Sequence, residues 1–191
     1  MSQSTDDQQR FEEALAEAIA DVSPVARVQQ LDAARQFDAE LHGAMSQLGV
    51  MGLGVEPADG GSGGGGVEQA IALRSLGNRA TSMAVFCVVQ FLVTRILKNN
   101  ANESQRQQFL IPLASGKSQA SFCMTEAGGG TDILRAMQTT ATRDSDAYIL
   151  NGAKMWVSGA ATSVILLIGM LHAIERDTEA HIFVLVEEAL A

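Results

Sequence analysis

Cysteine is scarce in this sequence: Cys87 and Cys123 are the only two among 191 residues. Two thiols without metal-ligand spacing around them build neither a disulfide framework nor a zinc site. Both are expected as buried apolar side chains in a reducing compartment. Cations are also few, with 13 Lys and Arg against 22 Asp and Glu and a formal charge of −9. A nucleic-acid surface needs a cationic stripe to displace counterions, so that class is excluded. Long apolar runs are missing too. The longest, Val164 to Leu171, falls far short of the roughly 20 residues that a membrane span needs. Met1 to Arg10 is polar and lacks the apolar stretch of a secretory signal. His42, His172 and His181 do not cluster with carboxylates or Cys at ligand spacing, so no metal site is expected. The expectation is a cytoplasmic protein without a membrane span, recognising small molecules through local groups.

What is present begins with enough apolar residues, 47%, to bury a real core in one or two domains. Asp6 or Asp7 is placed to cap a first helix with Phe11, Leu15, Ala18, Ile19 and Val22 at helical spacing. Ser23-Pro24 punctuates it, and a second helix is expected to run to about Leu48 on Val28, Leu31, Phe37, Leu41 and Met45. From Met51 to Gly66 the pattern breaks. The glycine run 60–66 has the composition of a flexible linker, but it is read as a loop inside one helical domain. It is not a phosphate loop, since no Gly-Lys-Ser/Thr ending follows and no strand precedes. Val67–Asn78 and Ser82–Lys98 read as two more helices, the second apolar nearly all round and so central and buried. Asn102 opens a short helix through Leu113, and Gly116 marks its end.

After Ser118 the periodicity changes to that of strands. Thr139–Arg143 and Tyr148–Leu150 flank a turn at Asp144-Ser145-Asp146, and Val164–Leu171 and Ile182–Val186 are β-branched and apolar. Short connections imply antiparallel pairing. The expected fold class is therefore α+β: an all-α N-terminal helical domain, residues 1–118, followed by an incomplete antiparallel β-barrel or sandwich, residues 119–191. A sheet ending at Ala191 leaves an open edge that a partner or further chain would cover.

Two segments stand out for chemistry. The first is Phe122-Cys123-Met124-Thr125-Glu126-Ala127-Gly128-Gly129-Gly130-Thr131-Asp132. Its three glycines let the backbone approach a ligand closely and aim N–H groups at an anion. The second is Asn151-Gly152-Ala153-Lys154-Met155-Trp156-Val157-Ser158. Asn-Gly signals a type I′ hairpin turn, which would carry the aromatic plane of Trp156 and the Ser158 hydroxyl back across the sheet toward the glycine loop.

Taken in this order, the two segments resemble the flavin motifs of the acyl-CoA dehydrogenase family, roughly T-E-P-x-x-G-S-D and x-G-x-K-x-W-I-T. Ala127 stands in place of the usual Pro, and Thr131 and Ser158 exchange Ser and Thr while keeping the hydroxyl. Glu56-Pro57-Ala58-Asp59-Gly60-Gly61 is similar to a further family loop. The resemblance covers an N-terminal helical domain and part of a middle β-domain, without the C-terminal helical bundle that carries the family's catalytic Glu.

The resemblance implies FAD as cofactor. Phe122, Met124 and Thr125 would lie along the isoalloxazine ring, Gly130 and Thr131 would meet the pyrophosphate, Trp156 would cover the ring and Ser158 would approach flavin N5. Thr131 would also lie near an acyl-CoA substrate, whose pocket the region of Met83, Phe86, Cys87 and Gln90 helps to wall. The implied reaction is α,β-dehydrogenation of the thioester, with electron-transferring flavoprotein as acceptor and a homo-oligomer, dimer or tetramer, as the assembly. Glu126 is read as part of the loop structure, so no catalytic residue is assigned and this chain alone is expected to be inactive. The alternatives are a naturally short non-catalytic subunit needing a partner chain, and a module that sequesters acyl-CoA or flavin.

Overall fold

The computed structural model describes residues 5–145, 147–163, 165–174 and 178–187. Met1, Asp146, Val164 and Ala191, named above, lie outside them. The chain forms two compact units, Met1–Gln119 and Ala120–Ala191.

The first unit is helical. Helix α1 (Asp6–Val22) is capped by Thr5, one residue before the expected carboxylates. The Thr5 hydroxyl accepts from the Gln8 amide at 3.3 Å and the Gln8 side chain accepts from the Thr5 amide at 3.1 Å. Asp6 and Asp7 fall instead in the first turn, where they complement the helix dipole. The expected second helix is broken into α2 (Val25–Ala34) and α3 (Ala39–Gln47). Arg35 adopts a left-handed conformation (φ 53°) that ends α2, and the Asp38 carboxylate restarts the chain by accepting from the Leu41 amide at 3.0 Å.

The glycine-rich segment lies inside this unit and is anchored rather than loose. Leu53 and Gly63 form a bridge, and Lys98 donates to the Gly54 carbonyl at 2.9 Å. A Cβ on Gly61 would collide with the Val55 carbonyl oxygen, which explains a glycine there. Helix α4 (Gly66–Gly77) leads into α5 (Thr81–Asn100). Leu15, Leu41, Met45, Leu76 and Cys87, each fully buried, form the centre of the core. Burial pushes the Cys87 thiol up to about 12.

Helix α5 corrects one expectation. It buries Met83, Phe86, Cys87, Gln90 and Leu97, yet Val85, Val88 and Leu92 are exposed along its other face, so it is not buried all round. It is also long and apolar enough to cross a membrane, although half of it is buried in the unit. Counting uninterrupted apolar residues missed it because Gln90, Thr94 and Arg95 break the run. The chain then continues through α6 (Glu103–Gln105), a π-helical turn at Arg106–Leu110 and α7 (Ile111–Ala114), and Gly116 turns it at φ 73°.

The second unit is a five-stranded sheet: β1 (Ala120–Cys123), β2 (Thr140–Asp144), β3 (Ala147–Asn151), β4 (Ile165–Ile174) and β5 (Thr178–Glu187), with the short helix α8 (Ile133–Ala136) between β1 and β2. The hairpins β2–β3 and β4–β5 are antiparallel, as expected from short connections. The other ladders are parallel: β1 pairs with β4 from Ala120↔Ile165 to Cys123↔Ile168, and β2 pairs with β4 at Thr140↔Leu171 and Ala141↔His172. The sheet is thus mixed. Length of connection constrained only the sequential neighbours, whereas β1 and β2 reach β4 across intervening elements. Among the described residues the sheet does not close into a barrel.

Asn151-Gly152 is not a hairpin turn. The β2–β3 register pairs Asp144 with Ala147 and Thr140 with Asn151. The turn therefore falls at Ser145, which takes the left-handed conformation at φ 56°, and Asn151 ends the ladder. Glycine is required at 152 for space instead, because a Cβ there would lie 2.7 Å from Thr139 Cα.

Candidate flavin-motif site

Both motif segments lie in the sheet unit, and a buried carboxylate ties them together. Glu126, 5% exposed, follows β1. Its carboxylate accepts from the Gln138 amide (2.6 Å), the Thr139 amide (3.0 Å), the Thr139 hydroxyl (2.6 Å) and the Lys154 ammonium (2.6 Å). Lys154 also donates to the Met124 carbonyl at 3.3 Å. Burial alone would raise the Glu126 pKa, but the bonds from Lys154, Thr139 and the two amides outweigh it and hold the carboxyl at about 2. At neutral pH this group is a saturated anion and a poor base.

The backbone joins the same segments directly, since the Met155 amide donates to the Thr125 carbonyl at 2.9 Å. One residue on, Trp156 adopts a left-handed conformation (φ 58°) and leaves its indole 83% exposed. Ser158 is placed from behind. The buried Ser121 hydroxyl on β1 donates to the Ser158 carbonyl at 2.9 Å and accepts from the buried Ser163 hydroxyl at 2.8 Å.

The glycine loop is part packed and part open. A Cβ on Gly129 would lie 2.8 Å from Ile133 Cδ1 and 2.9 Å from Ala136 Cβ, so the loop rests against α8 there. At Gly128 and Gly130 an added Cβ would meet nothing within 4 Å. Beside this loop runs a cavity of about 480 Å³, lined in part by Glu126, Gly128, Gln138, Asn151, Lys154 and Met155. A second cavity of about 280 Å³, with Cys123, Leu150, Val157 and Ile168 on its walls, shares Gly152 and Lys154 with the first.

Against the sequence reading, Phe122 sits on β1 paired with Leu167. Met124 and Thr125 leave that strand half-buried, Thr125 next to Met155. Gly130 and Thr131 lie on the exposed bend. Trp156 follows directly on the residue bound to Thr125, and Ser158 is tied to β1. The sequence reading missed Lys154, Gln138, Thr139, Ser121 and Ser163 as organising residues. For Lys154 the signal was present, as the one cation inside the second motif facing a Glu inside the first. A larger cavity, about 690 Å³, lies in the helical unit between Leu31, Phe37, Leu41 and Met83, with Arg35 and Arg79 on its rim, and takes nothing from either motif.

Known proteins are similar to this chain in sequence and in fold. The profile of the acyl-CoA dehydrogenase N-terminal domain matches residues 5–117, and that of the acyl-CoA dehydrogenase middle domain matches residues 121–190. Mitochondrial isobutyryl-CoA dehydrogenase of Dictyostelium discoideum is 31% identical over 185 residues, which is 96% of this chain and 44% of that protein. Butyryl-CoA dehydrogenase of Megasphaera elsdenii superimposes with a TM-score of 0.87 at 25% identity, over 99% of this chain and 50% of that one. A glutaryl-CoA dehydrogenase of Mycobacterium smegmatis in complex with FADH2 shares the fold with a TM-score of 0.83 at 23% identity, over 95% and 46% of the two chains. The chain thus spans about half the length of these relatives. With the matched residues running through both units, the protein belongs to the acyl-CoA dehydrogenase family.

Proposed function

We propose that this chain supplies the FAD-binding surface, and part of the acyl-CoA-binding surface, of an enzyme that dehydrogenates an acyl-CoA thioester between its α and β carbons. The observation that carries this reading is Trp156: a large indole, 83% exposed, held beside the Thr125 backbone through Met155. Exposed apolar surface of this size, kept in a strained backbone conformation, marks a binding face. The residues fit a flavin. An aromatic ring and the half-buried Met124 and Thr125 offer a planar contact with a few placed polar groups. The open positions at Gly128 and Gly130 let the backbone approach a phosphate group without a side chain in the way.

In this reading Phe122, Met124, Thr125, Trp156 and Ser158 hold the ring system, and Gly130 and Thr131 hold the pyrophosphate. Thr131 also faces the acyl-CoA. Bound FAD supplies the hydride acceptor for the β-carbon. This chain's part is to bind and orient, because Glu126, with four donors and a pKa near 2, is not fit to remove the α-proton near neutral pH. That carboxylate comes from outside this chain. A homo-oligomer in the cytoplasm, passing electrons to electron-transferring flavoprotein, completes the reading.

The test is titration of the purified chain with FAD, following Trp156, the single Trp of the sequence. Weak, saturable quenching of the Trp156 emission by FAD is expected. Absence of any saturable quenching, with the sheet folded, refutes the reading.

A further inference from the structure

Trp156 is held in a way that its own packing does not explain. A non-glycine residue in the left-handed region carries a free-energy cost. An indole that is 83% exposed offsets little of that cost by burial. The compensation must come from the residues on either side, and on the N-terminal side two anchors are visible. Met155 donates its amide to the Thr125 carbonyl. Lys154 inserts its ammonium between the Met124 carbonyl and the Glu126 carboxylate.

We infer that the buried Glu126–Lys154 ion pair is a latch that fixes Trp156 in its presented conformation, making both positioning residues for the aromatic face; its use for flavin rests on the proposed function. Three observations favour a latch over a general structural pair. The two side chains are only 6% and 9% exposed, so they are held in one geometry and shielded from salt. The pair joins segments 28 residues apart at the point where the chain has left β3 and has no ladder to guide it. Glu126 is itself fixed from the other side by Gln138 and Thr139, so that the anchor does not move with Lys154. If Lys154 is removed, Glu126 keeps three donors and its place in the fold. Residues 154–156 then keep only the Met155–Thr125 bond of these contacts.

The experiment is backbone ¹⁵N relaxation of Trp156 in the full 191-residue chain, without flavin. In the unsubstituted protein the order parameter of the Trp156 amide is expected near 0.85, and in Lys154→Met below about 0.6, with strand amides unchanged. Lys154→Arg, which keeps a cation, restores the rigid value. Glu126→Gln reproduces the loss and serves as the second variant if Lys154→Met fails to fold. An order parameter of Trp156 that stays rigid in both folded variants overturns the latch. So does a fall in the unsubstituted protein at 1 M NaCl, because a buried pair is insensitive to salt. In a parallel FAD titration, Lys154→Met raises the FAD concentration that gives half-maximal quenching of Trp156 by about tenfold, equivalent to about 1.4 kcal/mol. If FAD fails to quench the unsubstituted protein, the flavin reading falls and the latch is judged on the relaxation data alone.

Discussion

Replacing Glu126 by Gln tests the electrostatic node of the sheet unit, and its size follows from the structure. The carboxyl lies at about 2 in the folded protein against 4.5 ordinarily. That depression corresponds to about 3 kcal/mol of stability linked to ionisation, which screening at the edge of the pair trims to roughly 2. Because the folded pKa is the lower one, this contribution is fully present above pH 4.5. It is lost progressively as the pH falls from 4.5 through about 2, below which the folded carboxyl is protonated as well. Gln keeps the shape and one acceptor but removes the charge, leaving the Lys154 ammonium buried without its anion. The measurement is urea unfolding followed by far-UV circular dichroism at intervals from pH 7 to pH 2. Glu126→Gln is expected to be less stable by about 2 kcal/mol at neutral pH. The gap should narrow below pH 4.5 and close near pH 2. A gap that stays constant to pH 2, or none at pH 7, refutes the reasoning.

Other perturbations probe the helical unit. His42 is 8% exposed between the rings of Phe37 and Phe86, its Nε2 has no hydrogen-bond partner among the described residues, and burial lowers its pKa. The unfolded chain then binds more protons as pH drops below 6.5. Stability should decline with that drop, and His42→Leu should flatten the profile of urea midpoint against pH between 7.5 and 5, where an unchanged slope would refute it. Met45→Ala, at a fully buried position, should cost about 2 to 5 kcal/mol in the same unfolding assay. Gly61→Ala forces its methyl against the Val55 carbonyl and should cost about 1 to 3 kcal/mol. A neutral result would show that the loop yields without strain.

Much of the fold was legible because the relevant signals were local. The spacing of Phe11, Leu15, Ala18, Ile19 and Val22 gave α1, since a helix with one buried face repeats its apolar residues every three to four positions. The two motif segments were legible as a pair, and the structure brings Thr125 and Met155 within a hydrogen bond. What stayed hidden depended on distant parts of the chain. Nothing about an arginine announces a left-handed turn, so the break at Arg35 was invisible in the residue type. The Asn-Gly signal was overridden by a register that places the turn at Ser145 and uses Gly152 to clear Thr139. Parallel pairing of β1 and β2 with β4 has no counterpart in neighbouring sequence. The Glu126–Lys154 contact spans a separation at which no periodicity operates.

The position of β4 sets an order of events for the growing polypeptide. β5 pairs along its whole length, so β1 and β2 share its opposite edge, each at a different stretch. While the ribosome is still making residues 165–174, the first strand has no ladder, and the β2–β3 ribbon exists as an isolated hairpin of marginal persistence. Assembly of the sheet must wait for that late strand, because the β1 and β2 ladders to it close loops across intervening chain. During that interval the glycine bend and the tryptophan stretch lack the β1–β4 ladder, so a nascent chain has to synthesise its spine before it can present a finished face.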